Sequence, residues 1–246
     1  MKTAVVVSDI HVPNHDPVAT RTFLKFVRKL KPDVVVLNGD ILDLAACSSH
    51  GDADSSLRLE AEFAAGNVFL DDLMDAAPGA RFVYNEGNHE TRLQRFVAKN
   101  APVLGGIISV PKALDLDGRG VEWREYDADS AFFLTPKLAI THGFAHGSRF
   151  TEDTLRKYNV SVIVGHAHRP QYTGLPTLDV DGQQVRGCWG SGCLVPVSRV
   201  PYLNRPSGWT QGWTVVYFDD ESFSVYPVNL HGGRCFWNGH VFGGAQ

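Results

Sequence analysis

Side chains that can bind a metal ion occur in five short clusters over the first two-thirds of the chain. The clusters are Asp9-Ile10-His11, Gly39-Asp40, Gly87-Asn88-His89-Glu90, His142-Gly143 and Gly165-His166-Ala167-His168. They contain five of the ten histidines and no cysteine. Imidazole, carboxylate and amide ligands suit Mn²⁺, Fe or Zn²⁺ better than thiophilic metals or a calcium site. The clusters therefore predict a site for a metal with nitrogen and oxygen ligands.

Seven of these side chains are candidate ligands: Asp9, His11, Asp40, Asn88, His142, His166 and His168. A single catalytic zinc takes only about three or four ligands. The seven suffice for two metal ions if one carboxylate bridges them. Two metal ions ~3.5–4 Å apart can stabilise an in-line displacement at phosphorus. The alternative is a single-metal hydrolase or oxygenase that uses part of the set.

Each cluster follows a short apolar run that is typical of a buried strand. The runs are Ala4–Val7, Asp33–Leu37, Arg81–Tyr84, Leu138–Thr141 and Val160–Val164. Ligands of open α/β sheets bind at the carboxyl ends of strands, so we expect the five clusters to face one crevice. In an extended chain, residues two apart point the same way. We therefore expect Asp9 with His11, and His166 with His168, to present paired donor groups.

Helices are predicted between these strands. Asp16-Pro17 is an N-cap followed by Pro at the first helical position, and Lys31-Pro32 ends that helix. Further helices are expected from Leu59 to near Pro78, at Thr91–Asn100 and at Phe150–Tyr158. The strand–helix–strand order implies parallel strands with a crossover helix.

The pattern shifts towards β structure from Val110 onward. We predict further strands at Val121–Tyr126, Ala131–Leu134, Gln184–Trp189, Trp213–Phe218 and Phe223–Val228. Residues 44–56 are rich in Ala, Ser and Asp and are expected to form a loop. An α-rich first half joined to a β-rich second half favours one sandwich with two central sheets.

Composition restricts the class of protein. The chain has 246 residues, 43% of them hydrophobic and 20% charged, which is typical of a globular protein with a full core. The formal net charge is -4 with no run of Lys or Arg, so no strong duplex-DNA-binding face is expected. No signal peptide and no run of about 20 apolar residues is evident, so we predict a cytoplasmic protein without a membrane partner. The four cysteines form no CxxC pair and are expected to be reduced, partly buried thiols.

The ordered motifs resemble those of the calcineurin-like metallophosphoesterase superfamily, in particular its compact bacterial or phage-type members. The resemblance runs from residue 9 to residue 168 and includes Gly39-Asp40-x-x-Asp43. It implies an α/β fold, a four-layer α/β/β/α sandwich with two central mixed sheets. We expect a single domain over 1–246, with a motif core at 4–170 and a β-rich part at 171–246 that completes the second sheet.

The resemblance also implies a role for each site residue. Asp9, His11 and His168 would hold one metal, and Asn88, His142 and His166 the other, with Asp40 bridging them. His89 would act on the substrate as a catalytic residue, with Asp43 orienting it and Glu90 in a supporting role. Two divalent ions are the expected cofactors, Mn²⁺ first, with Fe, Zn²⁺ or Ni²⁺ as alternatives.

The implied activity is that of a metal-dependent phosphoric ester hydrolase. A metal-bridging hydroxide would attack phosphorus, Asn88 would bind the phosphoryl oxygens, and His89 would protonate the leaving group. Arg92 is a candidate contact to the substrate phosphate, with a helix-surface ion pair as the alternative. Leu44 stands where protein serine/threonine phosphatases carry Arg, which argues against that branch.

The substrate is expected to be a phosphomonoester or phosphodiester, with a nucleotide or a nucleic-acid fragment among the candidates. Two alternatives remain open: a DNA or RNA nuclease of the same superfamily, and a catalytically silent binding scaffold on the same fold. The sequence predicts no oligomeric state.

Overall fold

The computed structural model describes residues 1–48, 59–127, 131–179, 182–197 and 208–244. The helices are α1 (Pro17–Leu30), α2 (Leu59–Ala76), α3 (Thr91–Asn100), α4 (Val110–Ala113) and α5 (Phe150–Tyr158). The first seven strands are β1 (Lys2–Val7), β2 (Val34–Asn38), β3 (Arg81–Asn85), β4 (Val121–Arg124), β5 (Phe132–Thr135), β6 (Leu138–Thr141) and β7 (Ser161–Val164). The later strands are β8 (Gln171–Asp179), β9 (Gly182–Gly190), β10 (Gly212–Phe218), β11 (Phe223–Asn229), β12 (Arg234–Trp237) and β13 (His240–Gly243).

The first sheet has the order β11-β10-β1-β2-β3-β4. Strands β1 to β4 are parallel, whereas β10 and β11 add antiparallel strands on the far side of β1. The predicted strand–helix–strand unit is confirmed, because α1 connects the parallel pair β1 and β2. All five residues of β2 are buried, as expected for a strand covered on both faces.

The second sheet has the order β5-β6-β7-β9-β8. Its central strands β6, β7 and β9 are parallel, and β5 and β8 pair antiparallel at its two edges. Both sheets are therefore mixed, as predicted. The carboxyl ends of β6 and β7 carry the clusters at His142 and at His166.

Three hydrophobic clusters define four layers. Phe23 and Phe26 of α1 and Leu70 of α2 pack with the outward residues of the first sheet. A second cluster, which includes Val36 and Ile163, fills the space between the two sheets. Residues of α5 cover the other face of the second sheet. The predicted four-layer α/β/β/α sandwich is confirmed.

The structure differs from the sequence prediction mainly near the C-terminus. Residues 171–246 supply strands to both sheets, since β10 and β11 join the first sheet, and do not complete the second sheet alone. The strands β8, β12 and β13 were not predicted. Strand β8 contains Gly174 and Pro176, which mask a strand pattern and are tolerated here because β8 is an edge strand. The short helix α4 lies where the pattern was expected to turn to β structure.

Other predictions concern the loop at 44–56, the cysteines and the location. Ala45–Cys47 of that loop forms a short 3-10 helix, and residues 49–58 lie outside the described part of the chain. All four cysteines are free and buried, as expected. In the described ranges no helix has the length and apolarity needed to cross a bilayer. The cytoplasmic location and the single-domain organisation stay predictions.

Asp16 fixes the start of α1 and ties it to the first sheet. Its Oδ1 accepts hydrogen bonds from the backbone N–H groups of Val18 and Ala19, as an N-cap does. Its Oδ2 accepts a hydrogen bond of 2.9 Å from Nε2 of Gln211, just before β10. One carboxylate therefore caps the helix and joins it to a segment nearly 200 residues away.

We expect Asp16→Ala to lower the free energy of unfolding by about 1–2 kcal/mol, because it removes the cap and the bond to Gln211. Asp16→Asn keeps an oxygen for the cap and should cost less. Urea unfolding of both variants measures the difference, and equal losses in the two would contradict the capping role.

Candidate metal centre

The loops after β1, β2 and β7 carry candidate ligands in an unusual backbone conformation. Asp9, His11, Asp40, His166 and His168 all have φ between 52° and 65°, the left-handed region. The expectation that the paired residues lie in extended chain is therefore wrong. Asp and His tolerate this region better than β-branched residues, although each non-glycine residue there is still strained by about 1 kcal/mol or more. The loops are held in place by packing and hydrogen bonds.

Backbone hydrogen bonds join the first two of these loops. The N–H of Asp9 donates to the carbonyl of Gly39 at 3.0 Å, and the N–H groups of Ile10 and His11 both donate to the carbonyl of Asp40. Gly39 also lets His142 approach the second loop, because a Cβ at its position would lie 2.5 Å from Nδ1 of His142 and its φ is +81°. The loops are thus packed so closely that their side chains must share one space.

One group of candidate ligands consists of Asp9, His11 and His168, all buried. Nε2 of His11 lies 3.3 Å from Nε2 of His168, and Nε2 of His168 lies 3.0 Å from Oδ1 of Asp9. Two nitrogens each about 2.1 Å from the same ion lie roughly 3.0–3.4 Å apart. The spacing therefore matches the spacing of ligands around one ion.

A second group consists of Asp40, His142 and His166. Nε2 of His142 lies 3.2 Å from Oδ2 of Asp40 and 3.1 Å from Oδ1 of Asn88. Nδ1 of His142 donates to the backbone carbonyl of Asn38 at 2.9 Å. This outer hydrogen bond fixes the ring and directs Nε2 towards the carboxylate, as is usual for a metal-binding histidine.

Asp40 lies between the two groups. One carboxylate oxygen of Asp40 and one ring nitrogen each of His11 and His89 also lie within 4.8 Å of one another. Its Oδ1 accepts a hydrogen bond of 2.8 Å from the backbone N–H of His89, which leaves Oδ2 facing the histidine rings. The carboxylate is therefore central to the cluster.

His89 is held by Asp43 and contacted by Arg92. Its Nδ1 lies 2.9 Å from both the backbone carbonyl and Oδ1 of Asp43, so Nδ1 carries a proton and donates it there. Its Nε2 lies 2.8 Å from Nη2 of Arg92 and 3.7 Å from Oδ2 of Asp40. A guanidinium group can only donate, so Nε2 is the acceptor in the contact with Arg92.

Glu90 connects the loop after β2 to the loop after β3. It is fully buried and its carboxylate accepts five hydrogen bonds. The donors are the backbone N–H groups of Asp40, Ile41, Leu42 and Gly87 and the hydroxyl of Tyr84. The supporting role predicted for Glu90 matches this position, because the two loops carry Asp40, Asn88 and His89.

Charges in the cluster shift the pKa values of its members strongly. Burial disfavours the protonated form of His168, yet the carboxylate of Asp9 raises its pKa to about 10. Burial acts the same way on His142, and Asp40 raises its pKa to about 9. For His166, burial together with the nearby His142 lowers the pKa to about 4.

The carboxylates are shifted in the opposite direction. Burial alone would raise the pKa of Asp9, but the attraction of His168 lowers it to about 2. The pKa of Asp40 lies well below its usual value because His142 and His89 outweigh the burial. Burial opposes protonation of His89, but Asp40 and Asp43 raise its pKa. At neutral pH the cluster contains ionised carboxylates.

The donor set fits divalent metal ions. Oδ1 of Asp9 is buried and lies 3.0 Å from Nε2 of His168. A buried charged oxygen is costly unless a positive group contacts it, and the protonated His168 or a metal ion in place of its proton meets that need. Buried carboxylates converging with imidazoles are the ligands that Mn²⁺, Fe and Zn²⁺ accept.

The structure brings together all of the predicted site residues: Asp9, His11, Asp40, Asp43, Asn88, His89, Arg92, His142, His166 and His168. Their roles stay predictions.

Arg92 does not form an ion pair on the helix surface, because its side chain contacts His89 and Asp43. Sequence reasoning missed the carbonyl of Asn38 and the hydroxyl of Tyr84, and neither gives a recognisable motif. Trp209 also lies at the site, with its ring 4.2 Å from that of His168.

The chain belongs to the calcineurin-like phosphoesterase family, whose sequence model matches residues 2–170. It is 27% identical to the Gene 54 protein of Mycobacterium phage L5 and 28% identical to that of Mycobacterium phage D29, over 98% of each chain. Vacuolar Protein Sorting 29 from Cryptosporidium parvum shares the fold, with 12% identity, a TM-score of 0.50 and coverage of 99% of this chain and 98% of that one. The predicted superfamily is therefore confirmed.

We expect Glu90→Gln to destabilise the protein by about 2–4 kcal/mol, because an amide NH₂ replaces an acceptor that faces backbone donors. Tyr84→Phe removes one donor only and should cost about 1 kcal/mol. Urea unfolding measures both. An unchanged stability of the Glu90→Gln variant would contradict the anchoring role of this carboxylate.

Proposed function

We propose that this protein is a dinuclear-metal-dependent phosphoesterase that hydrolyses phosphodiester or phosphomonoester bonds. The observation that supports it best is the position of Asp40, which shares one group of ligand atoms with His142 and His166 and another with His11 and His89. A carboxylate between two groups of histidines is the arrangement that a pair of bridged ions requires. Membership of the calcineurin-like phosphoesterase family supports the same activity.

In this proposal Asp9, His11 and His168 would hold one ion, and Asn88, His142 and His166 would hold the other. Asp40 would contribute to both. We expect Mn²⁺ in both positions, with Fe, Zn²⁺ or Ni²⁺ as alternatives. When bound, such ions polarise the phosphoryl group and lower the pKa of a coordinated water towards neutrality.

His89 supplies the proton that the leaving alkoxide needs. Its Nδ1 is fixed by two oxygens of Asp43, so Nε2 is the atom that meets the substrate. Asp40 and Asp43 raise the pKa of His89 against the effect of burial. Asp43 therefore positions the ring, and its negative charge favours the protonated form that delivers the proton.

Arg92 and Asn88 bind the phosphoryl oxygens. The guanidinium of Arg92 must leave Nε2 of His89 before that nitrogen can carry a proton, because both groups would then be donors. A phosphate is a good alternative acceptor for the guanidinium. Substrate binding thus frees the proton donor. Oδ1 of Asn88 faces His142, so its amide NH₂ remains available for a phosphoryl oxygen.

The proposal is tested with protein reconstituted with Mn²⁺ and assayed on bis(p-nitrophenyl) phosphate and p-nitrophenyl phosphate. We expect hydrolysis and two bound ions for each chain. Asp40→Asn should lose both metal and activity, whereas Asp33→Asn, an exposed control, should keep both. One tightly bound ion in an active protein would support the single-metal alternative, and full metal occupancy in the Asp40→Asn variant would contradict the bridging role.

We expect His89→Ala to lower kcat about 10²–10⁴-fold on an alkyl phosphoester, whose leaving group needs a proton. The loss on a p-nitrophenyl ester should be much smaller, and the metal content should not change. His240→Ala on the exposed strand β13 is the control. Equal losses on the two esters would exclude His89 as the proton donor.

Metal binding should release protons. Asp9 raises the pKa of His168 to about 10 against its burial, and Asp40 raises that of His142 to about 9, so both rings are protonated at pH 7 without metal. Each must lose a proton to bind an ion, so metal affinity should rise with pH, by roughly tenfold per unit for each proton released. Titration calorimetry of Mn²⁺ in buffers of different ionisation enthalpy measures the release. A binding heat that does not depend on the buffer would contradict the prediction.

A further inference from the structure

A cavity of about 320 Å³ opens beside the metal centre, beyond the carboxyl ends of β3, β4 and β6. Asn85, Glu86, Trp123, Tyr126, Phe132 and His142 are among the residues that line it. Its size is within the range of sites that bind small organic molecules. Of the residues in the proposed reaction, His142 alone lines this cavity.

His142 lines the cavity and also belongs to the metal centre. Its Nε2 faces Asp40, whereas its ring lies 6.0 Å from the ring of Tyr126 in the cavity wall. The cavity therefore adjoins the metal centre at this ring.

The cavity wall contains a buried hydrogen-bond acceptor without a donor among the residues that the structure describes. Asn85 is only 5% exposed, and its Nδ2 donates to Oδ1 of Asn38 and to the carbonyl of Ile140. Those two bonds orient the amide, and its buried Oδ1 has no partner within the described residues. An acceptor in that position is costly unless a ligand or a water donates to it.

Glu86 adds a second acceptor to the same wall. It is 3% exposed, and its carboxylate accepts one hydrogen bond from the N–H of Tyr126 at 2.7 Å and one from Nε2 of Gln94 at 3.3 Å. Burial raises the pKa of the Glu86 carboxyl to about 7. Above that pH the ionised carboxylate has about four acceptor positions, so two remain. Glu125 and Asp127 also line the cavity, together with Arg124, which is paired with Glu122. The excess of acidic groups disfavours an anionic group there.

The aromatic wall favours a flat group. The hydroxyl of Tyr126 donates to the carbonyl of Gly143 at 2.7 Å, which fixes the ring at the junction with the metal centre. The ring of Phe132 is covered by the guanidinium groups of Arg81 and Arg124, so Tyr126 offers the better stacking surface. A planar ring against Tyr126 would reach the acceptors of Asn85 and Glu86 through a group on its edge.

We propose that this cavity binds the base of a nucleotide substrate, and that the base carries an amino group, as adenine and cytosine do. The amino group donates to Asn85 and Glu86 while the ring stacks on Tyr126. The inference rests on the proposed function, because it places the phosphate of the same molecule at the metal centre. If a carbonyl oxygen replaced the amino group, it would face the acceptor oxygens of Asn85 and Glu86 without a hydrogen between them. A polar site discriminates strongly against such a base.

Binding of free nucleosides to the full chain without metal tests the proposal separately from hydrolysis. Adenosine and inosine differ at the amino group, as do cytidine and uridine, and NMR chemical-shift titration above pH 7, where Glu86 is ionised, measures each affinity. We expect adenosine or cytidine to bind at least about tenfold more tightly than its partner, as the loss of hydrogen bonds to a buried carboxylate predicts. Shifts should be centred on residues 123–126.

Variants assign the binding to this cavity. Tyr126→Ala should weaken adenosine or cytidine binding about tenfold, whereas Tyr126→Phe keeps the stacking ring and should bind nearly as well. Glu86→Gln should reduce the preference for the amino base. Tyr226→Ala, an exposed tyrosine on β11, is the matched control and should leave binding unchanged. A melting temperature for each variant separates loss of binding from loss of fold.

Equal binding of the paired nucleosides, or binding that survives Tyr126→Ala, would overturn the proposal. So would displacement of adenosine by ethanolamine, which has the amino group without the ring, or the absence of any nucleoside binding. If nucleosides do not bind but bis(p-nitrophenyl) phosphate is hydrolysed, this inference fails and the phosphoesterase remains. If the amino nucleosides bind as expected but no ester is hydrolysed with Mn²⁺, the cavity is supported and the proposed reaction fails.

Discussion

The carboxylate of Glu90 is the interaction on which the candidate metal centre depends. A buried charge is expensive unless its oxygens are hydrogen-bonded, and Glu90 meets this requirement with five donors. Four of these are backbone N–H groups that would lack partners inside the protein if the carboxylate were absent. The loops after β2 and β3 are therefore fixed relative to each other by a group that binds neither metal nor substrate in the proposal.

The strain in the ligand loops is a consequence of the same close packing. Asp9, His11 and Asp40 adopt left-handed backbone angles, which an isolated loop would avoid. Hydrogen bonds between the loops compensate for this strain, and the absence of a side chain at Gly39 leaves room for His142 beside them. The rest of the fold supports the arrangement from both sides, since each sheet is covered by helices on its outer face. A rigid framework is needed to hold such a conformation in advance of metal binding.

Much of the fold could be predicted because its signals are local. The parallel strands are short runs of buried β-branched residues, and α1 begins and ends where Asp16, Pro17 and Lys31 indicate. The site residues could be predicted because each cluster follows such a strand. The order of the clusters along the chain carried the resemblance to a family, and the match over residues 2–170 confirms that family.

Other features depend on contacts between distant parts of the chain and have no local signal. The left-handed angles of Asp9 and His11 follow from packing against the loop at Asp40, 30 residues away in sequence. The contact between Arg92 and His89 depends on the first turn of α3 facing the cluster. The cavity beside His142 lies between strands of both sheets, so no segment alone predicts it. The edge strand β8 contains a proline and a glycine that conceal its pairing.

The position of β10 has a consequence for how the protein folds. Strand β1 pairs with β2 on one side and with β10 on the other, where Lys2 is opposite Phe218. Until β10 has been synthesised, one edge of β1 remains open, with unpaired backbone groups and the apolar side chains Val5, Val6 and Val7. Contacts of such high sequence separation form slowly. A nascent chain therefore has an unpaired β edge through most of its synthesis, and such an edge favours aggregation before β10 is available.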